Sequence, residues 1–153
     1  MRTDLVEMVV SSFERAISAV FTSSDLPYFL GGSRRFGYDR PESDTDFFVL
    51  VKNKEVETAL FFGLARIGFR EMPEADGYSL NLSFWRILAL RGTCHIIFLN
   101  DESCYNRLER EHEKIELFLE KEPRLQEFCR GLGGLGVKGT YIYRALCCLI
   151  PKD

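Results

Sequence analysis

The sequence predicts an α+β protein: one sheet flanked by helices, followed by a helical C-terminal third. Three observations lead there. Helix-period and strand-like segments alternate through the first hundred residues. After Asn100-Asp101 the strand-like segments stop and charged, helix-period sequence takes over. A chain of 153 residues, 46% hydrophobic and 28% charged, suits one soluble domain that buries about 70% of its unfolded surface. Residues 1–153 are therefore expected to form a single domain, with 1–100 as its core and 101–153 as helices packed on that core.

The elements follow in order. Residues 4–21 place Leu5, Val9, Phe13, Ile17 and Val20 on one stripe, which predicts an amphipathic helix. Ser23, Ser24, Asp25 and Pro27 end it and lead into a short strand over 28–31. Residues 32–43, rich in Gly, Ser, Asp, Pro and Arg, read as a loop or a short helical turn. Asp46 to Val51 is a continuous apolar run, the pattern of a strand buried on both faces. A helix over 55–67 carries Val56, Leu60, Leu64 and Ile67 on one face and stops at Gly68.

Strand-like pieces come next, at Phe69–Met72 and Ser79–Arg91, separated by a polar turn at Pro73–Gly77. Cys94–Leu99 is a further strand, and Arg91-Gly92-Thr93 makes it a hairpin partner of the one before. Arg86 interrupts an apolar parity, so it points into a cleft or marks a sheet edge. Residues 102–121 form a charged helix with Tyr105, Leu108, His112, Ile115 and Leu119 on one face. A short helix from Pro123 to about Arg130, a flexible link at Gly131–Gly136 and a last helix over 138–149 complete the chain.

Composition narrows the function classes. A formal net charge of −3 argues against general adhesion to nucleic acid, although a local basic patch can still hold a phosphate. The five cysteines are odd in number and form no C-x-x-C pair. The first ten residues are too acidic for a signal peptide, and no apolar run reaches about 18 residues. A cytoplasmic protein with free thiols, without a membrane partner, is the expectation.

One stretch, Tyr28 to Val51, joins a flexible backbone, basic side chains and two spaced carboxylates at the mouth of a strand. Adjacent Gly31 and Gly32 let backbone amides approach a ligand, and the Ser33 hydroxyl suits a phosphate oxygen. Arg34 and Arg35 add forked donors. Asp44 and Asp46, two residues apart, project to the same side of a strand. A carboxylate pair of this kind suits a hard divalent ion, Mg²⁺ above all, bound together with substrate phosphates.

Gly32-Ser33, ten residues, then Asp44-Thr45-Asp46 resembles the Gly-Ser-x10-Asp-x-Asp signature of the DNA polymerase β-like nucleotidyltransferase superfamily, in its minimal, stand-alone form. The strand before the glycines, Ser43 before the first Asp and the apolar run after the second also match. The resemblance covers roughly residues 5–100. It implies a small mixed sheet flanked by helices. It further implies Mg²⁺-dependent transfer of a nucleoside monophosphate from a nucleoside triphosphate such as ATP, with Mn²⁺ as a substitute ion. The acceptor would be a small molecule, RNA or protein. In that pattern Asp44 and Asp46 hold the metals, Gly32 and Ser33 bind the triphosphate, and Arg34 or Arg35 assists.

The sequence departs from the family at the third acid, which active members carry on a later strand. Cys94–Leu99 offers His95 there. Imidazole is a poor Mg²⁺ ligand but an acceptable base near neutral pH. His95 therefore either takes the base's place or marks a catalytically inactive relative that binds nucleotide, nucleic acid or a protein partner. Glu71 and Asp101 are substitute acids outside the expected pattern. Trp85 could stack on a base, with core packing as the ordinary alternative.

Three other motifs are set aside. Gly32-x4-Gly37 lacks the Lys and Ser/Thr of a P-loop. The glycines from 131 to 136 spell a dinucleotide fingerprint but follow a helix, so they read as a helix stop and linker. Arg107-x4-His112 resembles a helical ribonuclease motif, yet His112 lies on the apolar seam and reads as packing.

Overall fold

The computed structural model describes residues 15, 17–21, 26–72, 84–90 and 94–151, the side chains of Phe84 and Trp85 excepted. Of the expected first helix, residues 17–21 are helical, and 1–14 lie outside the described residues. The turn at 73–77, the first part of the strand expected from Ser79 and the turn at 91–93 also lie outside them.

Among the described residues five strands form one sheet: β1 Tyr28–Gly31, β2 Thr45–Leu50, β3 Arg70–Glu71, β4 Phe84–Leu90 and β5 Cys94–Leu99. Their order is β1-β2-β5-β4-β3. The central pair, β2 and β5, is parallel, and every other pairing is antiparallel. The sheet is thus mixed and the protein α+β. The central strands, TDFFVL and CHIIFL, are nearly continuous apolar runs because both faces are covered.

Helix α1 (Gly32–Phe36) follows β1 directly, and α2 (Lys54–Arg66) follows β2. Asn53 starts α2 by accepting the amides of Glu55 and Val56. Leu60 and Leu64 of α2 pack with Ile17 and Phe21 on Phe47, Val49, Ile96 and Phe98, one face of the sheet. The opposite face presents Phe48, Leu50, Ile97 and Leu99 to Tyr105 and Leu108 of α3 (Glu102–Glu120). Each such buried Phe, Leu or Ile contributes roughly 1.5–3 kcal/mol relative to exposure.

The C-terminal third is helical, as expected: α3 is followed by α4 (Pro123–Gly134) and α5 (Gly139–Leu149). One boundary differs. The expected link at 131–136 is helical through Gly134, so the glycines do not stop α4 where their flexibility suggested. Cys129 of α4, Ile142 and Leu146 of α5 and Ile115 and Leu119 of α3 close around Phe36 and Tyr38. That third cluster fastens the helical end of the chain to the segment that follows β1.

Candidate functional site

The sheet register assembles the site. Gly31 of β1 pairs with Asp46 of β2, and Asp46 pairs with His95 of β5. One row across three strands therefore carries the glycine turn, the second acid and the histidine. Asp44 precedes β2 by one residue and lies on the parity of Asp46, Phe48 and Leu50, the face that α3 covers.

Gly31 and Gly32 are required by space. Gly32 has φ of +71°, and a Cβ there would lie 2.6 Å from Asp46 Oδ2. A Cβ on Gly31 would lie 2.6 Å from the Phe48 ring and 2.9 Å from His112 Nε2. The backbone at the start of α1 thus rests directly on the second carboxylate. Any larger residue would separate the two.

His95 joins the two acids. Its Nδ1 is 3.1 Å from Asp46 Oδ1 and 3.6 Å from Asp44 Oδ2. The side chains of Asp46 and His95 are 17% and 14% exposed, against 40% for Asp44, so Asp44 is the solvent-facing member. Burial disfavours charge on the imidazole. The Asp46 hydrogen bond and the charges of Asp46 and Asp44 outweigh it, and the His95 pKa is raised. Burial raises the pKa of Asp44, with the neighbouring Asp46 adding to it and His95 and Arg34 opposing.

The two arginines are engaged within the protein. Arg34 donates from Nη1 to Asp39 Oδ2 at 3.2 Å and from Nη2 to the Ser43 carbonyl at 2.7 Å. It therefore spans the arm between α1 and β2. The Ser43 hydroxyl accepts the Arg40 amide at 2.8 Å, fixing the residue before Asp44. Arg35 donates to Glu116 at 2.7 Å and to the Leu30 carbonyl at 3.2 Å, with its guanidinium 5.6 Å from the Phe29 ring centroid.

Neither substitute acid reaches the row. Asp101 caps α3 by accepting the amides of Ser103 and Cys104. Glu71 sits on the edge strand β3 and pairs with Arg86 at 2.9 Å. Arg86, on the inner strand β4, also holds the buried Glu57 at 2.9 Å and lies over the Phe61 ring, and it does not line the cleft over the row.

A cleft of about 620 Å³ opens over the row, within the size range of small-molecule sites. Gly32, Ser33, Asp44, Asp46 and His95 line its sheet wall. Residues 137–140, Ile142 and Tyr143, at and after the α4–α5 junction, line the facing wall. Lys138 is the N-cap of α5, whose first turn has no side-chain cap, and its charge adds to the positive end of the helix dipole.

Sequence reasoning missed this second wall. Its one legible signal was His112, a polar residue on an apolar helix seam. His112 is 3% exposed and surrounded by the rings of Phe29, Phe36, Phe48 and Tyr143 at 5.1–5.3 Å. Its Nδ1–H donates to the Leu108 carbonyl at 2.8 Å, leaving the lone pair on Nε2. Burial pushes its pKa down to about 4, so the ring is neutral at pH 7. It packs as expected and also contributes to the cleft lining.

Two carboxylates at the mouth of a cleft, one of them open to solvent, fit a divalent ion that completes its shell with substrate oxygens. Among the described residues no group of three or more His, Cys, Asp or Glu side chains is placed to hold an ion by itself. Among them, too, no helix is long and apolar enough to cross a membrane.

No protein-family model matches this chain, and no curated protein does. Solved structures do. The chain is similar to the crystal structure of the conserved protein GrpB from Enterococcus faecalis, with 17% identity over 93% of this chain and 87% of that one, at a TM-score of 0.59. It is also similar to a cytoplasmic RNA terminal U-transferase, with 20% identity and a TM-score of 0.47. For Cid1 in complex with its short product ApU the values are 20% and 0.48. Both of these matches cover 82% of this chain and 41% of the other, so the chain spans about two fifths of the length of those proteins. The mixed-sheet α+β fold is one the chain shares with GrpB.

Proposed function

We propose that this chain is a metal-dependent nucleotidyltransferase that moves a nucleoside monophosphate from a nucleoside triphosphate to a small molecule, RNA or protein acceptor. One observation carries the reading: the Gly32 backbone, Asp46 and His95 meet in a single row at the floor of a cleft large enough for a nucleotide. Gly32 and Ser33 bind the triphosphate oxygens through backbone amides and the hydroxyl. Asp44 and Asp46 hold Mg²⁺ or Mn²⁺, which when bound neutralises phosphate charge and stabilises the leaving pyrophosphate. An acceptor oxygen attacks the α-phosphorus, the bond from that phosphorus to the β-phosphate bridging oxygen breaks, and pyrophosphate leaves. Against burial, Asp46 and Asp44 raise the His95 pKa; an ion held by those carboxylates would offset their pull, and His95 in its neutral form would then take the proton of the attacking hydroxyl. Arg34 acts through the arm that presents Asp44, and Arg35 anchors α1 to α3.

A second reading rests on the same histidine. His95 Nδ1 lies on both carboxylates and can satisfy them as a cation would. A chain that keeps this arrangement would bind nucleotide, nucleic acid or a protein partner without turnover. Incubation with each labelled nucleoside triphosphate, Mg²⁺ or Mn²⁺ and cell extract separates the two. Label transfer with pyrophosphate release that vanishes in Asp44→Ala and Asp46→Ala is the enzyme's result. Binding without turnover, unchanged when those acids are removed, sinks it.

A further inference from the structure

The end of α1 and the arm between α1 and β2 are held by two side chains of α4. Arg130 donates from Nη2 to the Gly37 carbonyl at 2.7 Å and from Nε to the Asp39 carbonyl at 3.1 Å. Gln126, one turn earlier, donates from Nε2 to the Phe36 carbonyl at 3.0 Å. The guanidinium of Arg40 packs on Gly134, where a side chain would overlap it. Glu127 pairs with Arg130 and steadies it. Two side chains thus satisfy three carbonyls over four consecutive residues, about 90 positions away in sequence. Such carbonyls otherwise face water and leave the backbone free to move.

Arg34 of α1 binds the Asp39 side chain and the Ser43 carbonyl. The two arginines therefore share Asp39 and between them hold the arm at Gly37, Asp39 and Ser43. The clamped segment runs from the end of α1, which carries Ser33, to Ser43, which precedes Asp44. Its length and path set the distance between the proposed phosphate loop and the first proposed metal ligand. We propose that Arg130, with Gln126, is a positioning residue: α4 sets the geometry of the nucleotide site without touching the nucleotide. The proposal rests on the nucleotidyltransferase reading for its ligand. The clamp itself is a property of the arm and can be tested separately.

The test uses the full chain in four forms: wild type, Arg130→Ala, Arg130→Lys and the milder Gln126→Ala. Two readouts are taken, amide hydrogen exchange and the affinity for MgATP and MgUTP. The amides of Gly37, Tyr38 and Ser43 report the arm, since the first two donate back to the Ser33 carbonyl and the third to the Arg40 carbonyl. In Arg130→Ala they are expected to exchange about tenfold faster while the amides of β5 keep their protection. Nucleotide affinity is expected to weaken by about tenfold, the effect of one lost charge-assisted hydrogen bond or more. Arg130→Lys, which keeps the charge and one donor direction, recovers part of both, and Gln126→Ala shows a smaller loss of each. Unchanged arm exchange in Arg130→Ala overturns the clamp. Faster exchange with undiminished affinity overturns its role in the site and leaves the nucleotide reading standing. Wild-type protein that binds neither nucleotide sinks the nucleotide reading, and the positioning role falls with it.

Discussion

The two histidines of this chain line one cleft from opposite walls, and their surroundings push them in opposite directions. Both are largely withdrawn from solvent. His95 keeps its proton more tightly than a free imidazole because two carboxylates lie against Nδ1. His112 loses its proton more readily, down to about 4, because burial among four aromatic rings disfavours its charge and outweighs the opposing pull of the Leu108 carbonyl. Burial alone does not assign a role; the neighbours do. The sheet wall concentrates charge and is where chemistry would occur. The helical wall is apolar near His112 and gives the cleft its shape. Damage to the first should remove activity and spare the fold, whereas damage to the second should cost stability.

The largest expected effect is on the sheet wall. Asp46→Asn keeps the shape of the side chain and removes the charge beside Gly32 and His95. Nucleotidyl transfer should fall by on the order of 10³-fold, the scale for loss of a preorganised electrostatic group. Thermal unfolding should shift little. Asp44→Asn should act similarly, and its melting temperature should hold or rise, because the folded protein already disfavours charge there. Label transfer and melting curves on the same preparations check both. A large drop in stability without a drop in transfer would reverse the roles assigned to the two walls.

The next effect belongs to His112. Its pKa falls from 6.5 to about 4 on folding, so the unfolded chain binds the proton more tightly. Stability from this site is complete above pH 6.5 and is lost as pH falls toward 4. The shift corresponds to about 3 kcal/mol at most. Urea unfolding at pH 7, 5.5 and 4.5 should show the loss in wild type. His112→Asn should be less stable at pH 7 but have a flatter acid limb. An unchanged acid limb in the variant would mean that other groups drive acid unfolding.

Much of the sheet wall was legible in the sequence, and the helical wall was not. The strands, the glycine turn and the spacing of Asp44 and Asp46 are local patterns, and β-strand periodicity places both acids on one face. The position of His95 opposite Asp46 follows from the parallel pairing of two apolar runs, a register that no local pattern marks. Likewise, the bonds from Arg130 and Gln126 to the arm cross about 90 residues and leave no local mark. The glycines at 131, 133 and 134 pointed the wrong way, because packing of α4 on the arm keeps them helical despite their flexibility. Arg34 and Arg35 read as forked donors for a phosphate. Their partners, Ser43 in the arm and Glu116 in α3, depend on how the chain folds back.

The same substitution at the glycine turn of the sheet wall and in the interior of α4, away from the cleft, sharpens the contrast further. Gly32→Ala forces a side chain onto a left-handed backbone and 2.6 Å from Asp46 Oδ2, so it should cost roughly 1–2 kcal/mol and reduce transfer as well. Gly131→Ala adds a methyl to the interior of α4, where nothing lies within 4 Å of it. It should stabilise by roughly 0.5–1 kcal/mol through helix propensity and leave transfer unchanged. Chemical denaturation of the pair gives the two signs directly. Equal effects would mean that Gly32 is held less closely against the acid than the register indicates.

The smallest expected effect is the counterpart of the acid limb. The folded-state pKa of His95 lies above 6.5, so the folded protein binds this proton more tightly than the unfolded chain does. Its contribution is fully present below pH 6.5 and is lost as pH rises through the raised value. The sign is opposite to that of His112 and the window is on the other side of neutrality. Burial offsets part of the carboxylates' pull, which keeps the term modest. Without added divalent ions, wild type should lose stability as pH rises above 6.5, and His95→Gln should lose less over the same rise. Nucleotide and Mg²⁺ should then flatten the wild-type curve, since an ion on Asp44 and Asp46 does for the acids what the imidazolium does without it. A wild-type curve that stays steep with Mg²⁺ and nucleotide at saturation would separate His95 from the metal ligands and count against the site as built from this row.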